Sequence, residues 1–135
     1  MYRSFFILIF LSQIPFLALA QYEESVCDSL YMEWSNPVGF ADYPRPEIVG
    51  GIKSLYSNLV YPESAISEGL EESAMVWILI SKKGTPKCIR FIKLENEVFK
   101  GSIISAIEKQ KFKPLIIRNS PIDASLVIPF NFKLK

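Results

Sequence analysis

The chain has 135 residues, 50% of them hydrophobic and 21% charged, with a formal net charge of +1. That profile excludes a disordered chain, and the length leaves room for one domain with a single modest core. There is no histidine, which removes the commonest general base, the usual zinc ligand and every Ser-His or Cys-His nucleophile pair.

The first segment reads as an export signal. Arg3 supplies a positive charge, Phe5 to Leu11 an apolar run, and Ala18-Leu19-Ala20 the small-residue pattern of a cleavage site, which predicts a signal peptide over 1–20 and a mature start at Gln21. The alternative is an uncleaved membrane anchor. As a helix, residues 5–20 would reach only ~24 Å against a hydrocarbon thickness of ~30 Å.

Residues 21–45 read as an irregular lead-in, because Pro37, Gly39 and Pro44 interrupt any period, with Tyr31, Trp34, Phe40 and Tyr43 available to dock it. Cys27 and Cys88 are the only cysteines. Export would place them where oxidation occurs, and the residues leave open either a bridge or two unpaired thiols.

After Gly50-Gly51, the spacing of Ile52, Leu55, Tyr56 and Leu59 predicts a two-turn amphipathic helix that stops before Pro62. A further helical turn over 63–68 ends at Gly69 as a left-handed cap. Residues 73–81 and 87–94 read as a hairpin around Lys82-Lys83-Gly84-Thr85, with one face more apolar than the other, so that a single covering helix is expected. That helix follows, with Asn96 as N-cap and Phe99, Ile103, Ala106, Ile107 and Gln110 as its stripe. Leu115 to Ile117 is a short strand, and Arg118-Asn119-Ser120-Pro121 turns the chain.

In the last strand Leu126, Ile128, Phe130, Phe132 and Leu134 share one face, and Val127, Pro129, Asn131, Lys133 and Lys135 the other. A proline inside a strand cannot donate to the ladder, so Pro129 implies an edge with unpaired backbone beside it.

Charge is divided between the halves. From Gln21 to Glu72 acids outnumber bases ten to two, and from Ser73 onward bases outnumber acids twelve to four. The halves can simply pack on each other, with lysines guarding a sheet edge; the sharper reading is that the basic half attracts an acidic partner segment. Basic residues dispersed over strands and a helix, without a recognisable motif, exclude nucleic acid as a partner.

Catalytic chemistry finds no support. Two isolated cysteines make no metal site, no phosphate-binding loop motif is present, and Glu71 and Glu72 are strand neighbours that point to opposite faces. No catalytic, cofactor-binding or metal residue is assigned, and an exported enzyme of unfamiliar type is the remaining alternative.

The ordered pieces Pro46-Glu47-Ile48-Val49-Gly50-Gly51, Tyr61-Pro62 with Ala65 and Gly69, Gly84, Lys111-Phe112-Lys113-Pro114 and Ile128-Pro129-Phe130-Asn131-Phe132 resemble the TonB C-terminal domain family over 46–135. The resemblance departs at Glu72 and Ala74, where that family usually has glycine and valine. It implies an α+β fold, a three-stranded antiparallel sheet with helices packed on one face, following the lead-in as one domain over 46–135. It also implies a periplasmic, non-enzymatic module without a cofactor. Its final strand would accept an extended segment of an outer-membrane transporter or another envelope protein, in energy-coupled transmembrane transport. By that analogy the docking edge is Val127, Pro129, Asn131, Phe132 and Lys133. A second copy of the chain is a further candidate partner. Complete transducers of this kind carry a histidine-bearing membrane helix and a proline-rich spacer, and this chain has neither. A shortened energy transducer anchored in the inner membrane, and so associated with it, is the alternative.

Overall fold

A computed structural model describes residues 24–34 and 44–135. The expected export segment and its cleavage site, and the lead-in residues Phe40 and Tyr43, lie outside the described residues. In chain order the elements are α1 (Glu24–Trp34), β1 (Glu47–Ile48), α2 (Gly51–Ser57), α3 (Glu63–Ser67), β2 (Glu72–Ile80), β3 (Pro86–Lys93), a 3-10 turn (Glu97–Phe99), α4 (Lys100–Lys109), β4 (Phe112–Lys113), β5 (Leu115–Ile117), β6 (Ser120–Ile122) and β7 (Ala124–Phe132).

The main sheet has the order β3-β2-β7, with both pairings antiparallel. Val76, Ile78 and Ile80 of β2 face a core closed by Leu55 of α2, Ala65 of α3, Phe99 of the 3-10 turn and Ile103, Ala106 and Ile107 of α4, the apolar residues of the expected stripe. The α+β architecture expected from the sequence is therefore present, with α2, α3 and α4 on one face. Gly69 caps α3 as anticipated: at φ +67° it lets its own N–H reach the Ile66 carbonyl and the Leu70 N–H reach that of Ala65, the paired bonds of a Schellman motif.

The second sheet face is covered too, which corrects the expectation of helix cover on one side only and, over residues 24–34 of the lead-in, that of an irregular segment. α1 lies there. Its Cys27, Leu30 and Tyr31, spaced i, i+3 and i+4, pack on Trp77, Leu79, Cys88 and Val127. Pro37, Gly39 and Pro44 all come after this helix and so do not interrupt it. The signal for two-sided burial stands in β2 itself, where Val76-Trp77-Ile78-Leu79-Ile80 runs apolar without alternation and is buried throughout.

The cysteines form a disulfide, with Cα atoms 5.5 Å apart across 61 residues of sequence. Two further contacts hold α1 at the same place. Arg90 Nε donates to Asp28 Oδ1 at 2.6 Å while its guanidinium carbon lies 4.2 Å from the centre of the Tyr31 ring, and Tyr31 meets Trp77 edge-on with centroids 5.4 Å apart.

Other expectations need correction. Asn96 does not cap the helix after it. Its backbone N–H, its side-chain amide and the Glu95 N–H all donate to the carboxylate of Glu72, which is buried at the start of β2 and needs those donors. Leu134 is not on the inner face, because β7 ends at Phe132 opposite Glu72, the first residue of β2, and no ladder exists beyond it. The Leu134 N–H is instead bound by Glu71 Oε1 at 3.0 Å. Ile52 is exposed, since α2 buries only Leu55 fully. Ser120 and Pro121 belong to β6; the turn itself is Arg118–Asn119, both at positive φ, which is the geometry of a two-residue hairpin loop.

Gly84 shows why the β2–β3 turn needs glycine. It sits at φ +81°, and a Cβ there would lie 2.4 Å from the Phe112 carbonyl oxygen. Left-handed strain of ~1–3 kcal/mol then adds to a backbone clash that no side-chain rotation relieves. Gly84→Ala is expected to lower unfolding free energy by about 2 kcal/mol or more in urea titration.

At the same end of the sheet, Asp123 ties the entry of β7 to the hairpin. Its carboxylate accepts the Lys82 backbone N–H at 2.8 Å and the Lys87 ammonium at 3.1 Å. Burial alone would raise its pKa, but the Lys82 and Lys87 hydrogen bonds and charges outweigh that and hold it below the usual carboxylate value. A group with a depressed folded-state pKa stabilises the fold above its unfolded pKa, and that contribution is lost as pH falls through the folded value. Both partners are partly solvated, so the effect is below ~1 kcal/mol. Asp123→Asn should therefore destabilise slightly at pH 7, and the difference from wild type should shrink to nothing in denaturation curves taken well under pH 3.8, the ordinary value.

Candidate functional site

β7 is paired with β2 along its whole length, from Ala124 opposite Ile80 to Phe132 opposite Glu72. On its other side no strand lies beside it among the described residues. In an antiparallel pair, alternate residues turn their N–H and C=O toward the partner and away from it. Pro129, opposite Met75, has no N–H and costs the ladder nothing if it faces away. Its carbonyl does face away, for the Tyr56 hydroxyl donates to it at 2.5 Å. By the same alternation Ser125, Val127 and Asn131 present their backbone groups to the open side. Among the described residues the rim is thus a row of unpaired amides and carbonyls interrupted once, at Pro129.

The five residues assigned to the docking edge from the sequence do not behave as one set. Val127 offers backbone to the rim while its side chain is half-buried against the cluster beneath α1. Pro129 and Asn131 are exposed, and Asn131 Oδ1 accepts the Ser73 hydroxyl at 2.9 Å across the ladder. Lys133 is exposed just past the strand. Phe132 is the exception: it is 4% exposed, with its ring centroid 4.7 Å from Phe99 and 5.4 Å from Tyr61, and its side chain belongs to the core.

The sequence reading missed the groove beside the rim. It measures about 430 Å³ and is lined by Tyr56, Leu59, Tyr61, Asn131, Phe132 and Lys133. Tyr56 packs edge-on against Phe130 with centroids 6.0 Å apart, and Tyr61 hydrogen-bonds through its hydroxyl to the Leu70 carbonyl. Burial raises the pKa of Tyr56, and burial with the nearby Glu71 charge raises that of Tyr61, so both remain donors across ordinary pH. The available signal was chemical: a half-buried tyrosine needs an acceptor for its hydroxyl.

Over residues 57–134, more than half its length, the chain matches the family described as Gram-negative bacterial TonB protein C-terminal. The chain belongs to the TonB C-terminal domain family. Members of this family are non-enzymatic protein-interaction domains of the periplasm that in general bind outer-membrane transporters. The fold is similar to the solution NMR structure of the C-terminal domain of Pseudomonas aeruginosa TonB, at TM-score 0.50 and 23% identity, over 57% of this chain and 79% of that one. The solution structure of the Helicobacter pylori TonB C-terminal domain is similar at TM-score 0.48 and 25% identity, over 62% of this chain and 77% of that one. No curated protein sequence matches the chain. No helix among the described residues is long and apolar enough to cross a membrane.

Proposed function

We propose that this TonB-like module is exported to the periplasm and docks extended segments of envelope transport proteins on the outer rim of β7, by strand addition. One observation carries the reading: a nine-residue strand whose far side has no strand partner among the described residues, in a domain family that binds outer-membrane transporters. Added backbone hydrogen bonds supply affinity at ~0.5–1.5 kcal/mol net each, less the cost of ordering the segment, so that contact through a few such bonds is micromolar to millimolar and transient. Lys133 and Lys135 near the end of the rim favour an acidic segment. Export rests on the Arg3, apolar-run and Ala18-Leu19-Ala20 pattern, with cleavage before Gln21. The mass of the mature N-terminus tests that step.

The docking reading is tested in cells with a photo-crosslinking amino acid at Asn131 on the rim or at Ile92 on β3, the opposite edge strand. The expected result is a crosslink to an outer-membrane transporter from position 131 and none from 92. Equal yield from both positions, or no transporter from 131, contradicts the reading.

A further inference from the structure

The Tyr56 hydroxyl does more than satisfy a loose carbonyl. Pro129 contributes no donor to the rim, and its one remaining group, the carbonyl, is already held by Tyr56. An incoming N–H must share that oxygen or displace the hydroxyl, and displacement leaves a half-buried phenol without its acceptor. An added strand that ran across the whole rim would therefore carry a gap at Pro129, the third of the four outward-facing positions, in either the parallel or the antiparallel sense.

The two sides of the gap are not alike. On the Val127 side the side chain is committed to the cluster under α1. On the Asn131 side lies the groove, lined by Tyr56, Leu59, Tyr61 and Phe132 together with Lys133. Lys133 has no ion-pair partner among the described residues. Tyr56 thus both ends the ladder and forms a wall of the pocket next to it.

From this we propose that Tyr56 sets the register of the docked segment. The partner pairs with β7 on the Asn131 side of Pro129 only, and lays one apolar side chain in the groove with a carboxylate of the same segment toward Lys133. This rests on the docking reading above and adds to it the residue that chooses where the partner sits.

The test uses a random nonapeptide display library selected against the protein, followed by titration of the enriched synthetic peptide into isotope-labelled wild type and Tyr56→Phe. The variant keeps the ring and its packing and removes only the hydroxyl. In wild type the Asn131 amide should shift and that of Val127 should not. In Tyr56→Phe the footprint should extend across Pro129 to Val127, with affinity rising ~2–10-fold, the worth of one hydrogen bond. Val127 and Asn131 shifting together in wild type, or an unchanged footprint in the variant, overturns the proposal while leaving docking intact. If no selected peptide shifts either amide, docking at the rim fails and the register goes with it.

Discussion

Breaking the Cys27–Cys88 bond is expected to lower the unfolding free energy by about 4 kcal/mol, the value that chain entropy assigns to a closed loop of this length. The bond spans 61 residues and, made by the chain's two cysteines, is its one covalent link from α1 to the sheet besides the backbone itself. What would remain is modest. The Arg90–Asp28 pair is partly solvated, and such pairs contribute up to ~1 kcal/mol. α1 has eleven residues, too few to persist as a helix once it leaves the sheet. Its departure would also uncover Trp77 and Leu79, now 0% and 1% exposed. Urea titration of the oxidised protein, the reduced protein and a Cys27→Ser/Cys88→Ser double variant checks this. A loss below ~1 kcal/mol would show that the second face does not depend on the staple.

Phe132→Ala should be nearly as costly, at about 3–5 kcal/mol, because it empties a site shared by Phe99 and Tyr61 in the middle of an aromatic cluster. Its neighbour Asn131 gives the contrast. Asn131→Ala removes an exposed side chain with one hydrogen bond to Ser73 and should change stability by less than ~1 kcal/mol. Paired urea titrations separate the two, and similar losses would mean that the alternation along β7 has been assigned to the wrong faces. The pair also divides β7 by role: inward side chains hold the domain together, while outward backbone is what a partner could meet.

Alternation and helical spacing made much of this legible. The stripe Phe99, Ile103, Ala106, Ile107 and Gln110 is buried in full, and the period-2 pattern of Leu126 to Phe132 is the inner face of β7. Gly69 and Gly84 stand where the chain needs positive φ. What escaped had physical causes. α1 does carry a helical spacing, Cys27, Leu30, Tyr31 and Trp34 at i, i+3, i+4 and i+7, but Pro37, Gly39 and Pro44 close behind it outweighed that signal, and the disulfide and sheet face that stabilise the helix are remote in sequence. Asn96 looks like a cap because its chemistry suits one, but a buried carboxylate 24 residues away outbids the helix for its donors. Phe132 entered the docking edge by analogy, against the alternation that already put it inside. Tyr56 and Pro129 are 73 residues apart, and nothing local in either announces that one fills the other's place on the rim.

Docking on the rim requires β7 to have an open outer side, and amide hydrogen exchange of the uncomplexed protein reads that directly. Ile128 and Phe130, turned toward β2, should exchange slowly. Val127 and Asn131, turned outward, should exchange faster by orders of magnitude under conditions where the fold is intact. Equal protection of all four amides in a monomer would mean that the rim is already occupied, and would contradict docking there.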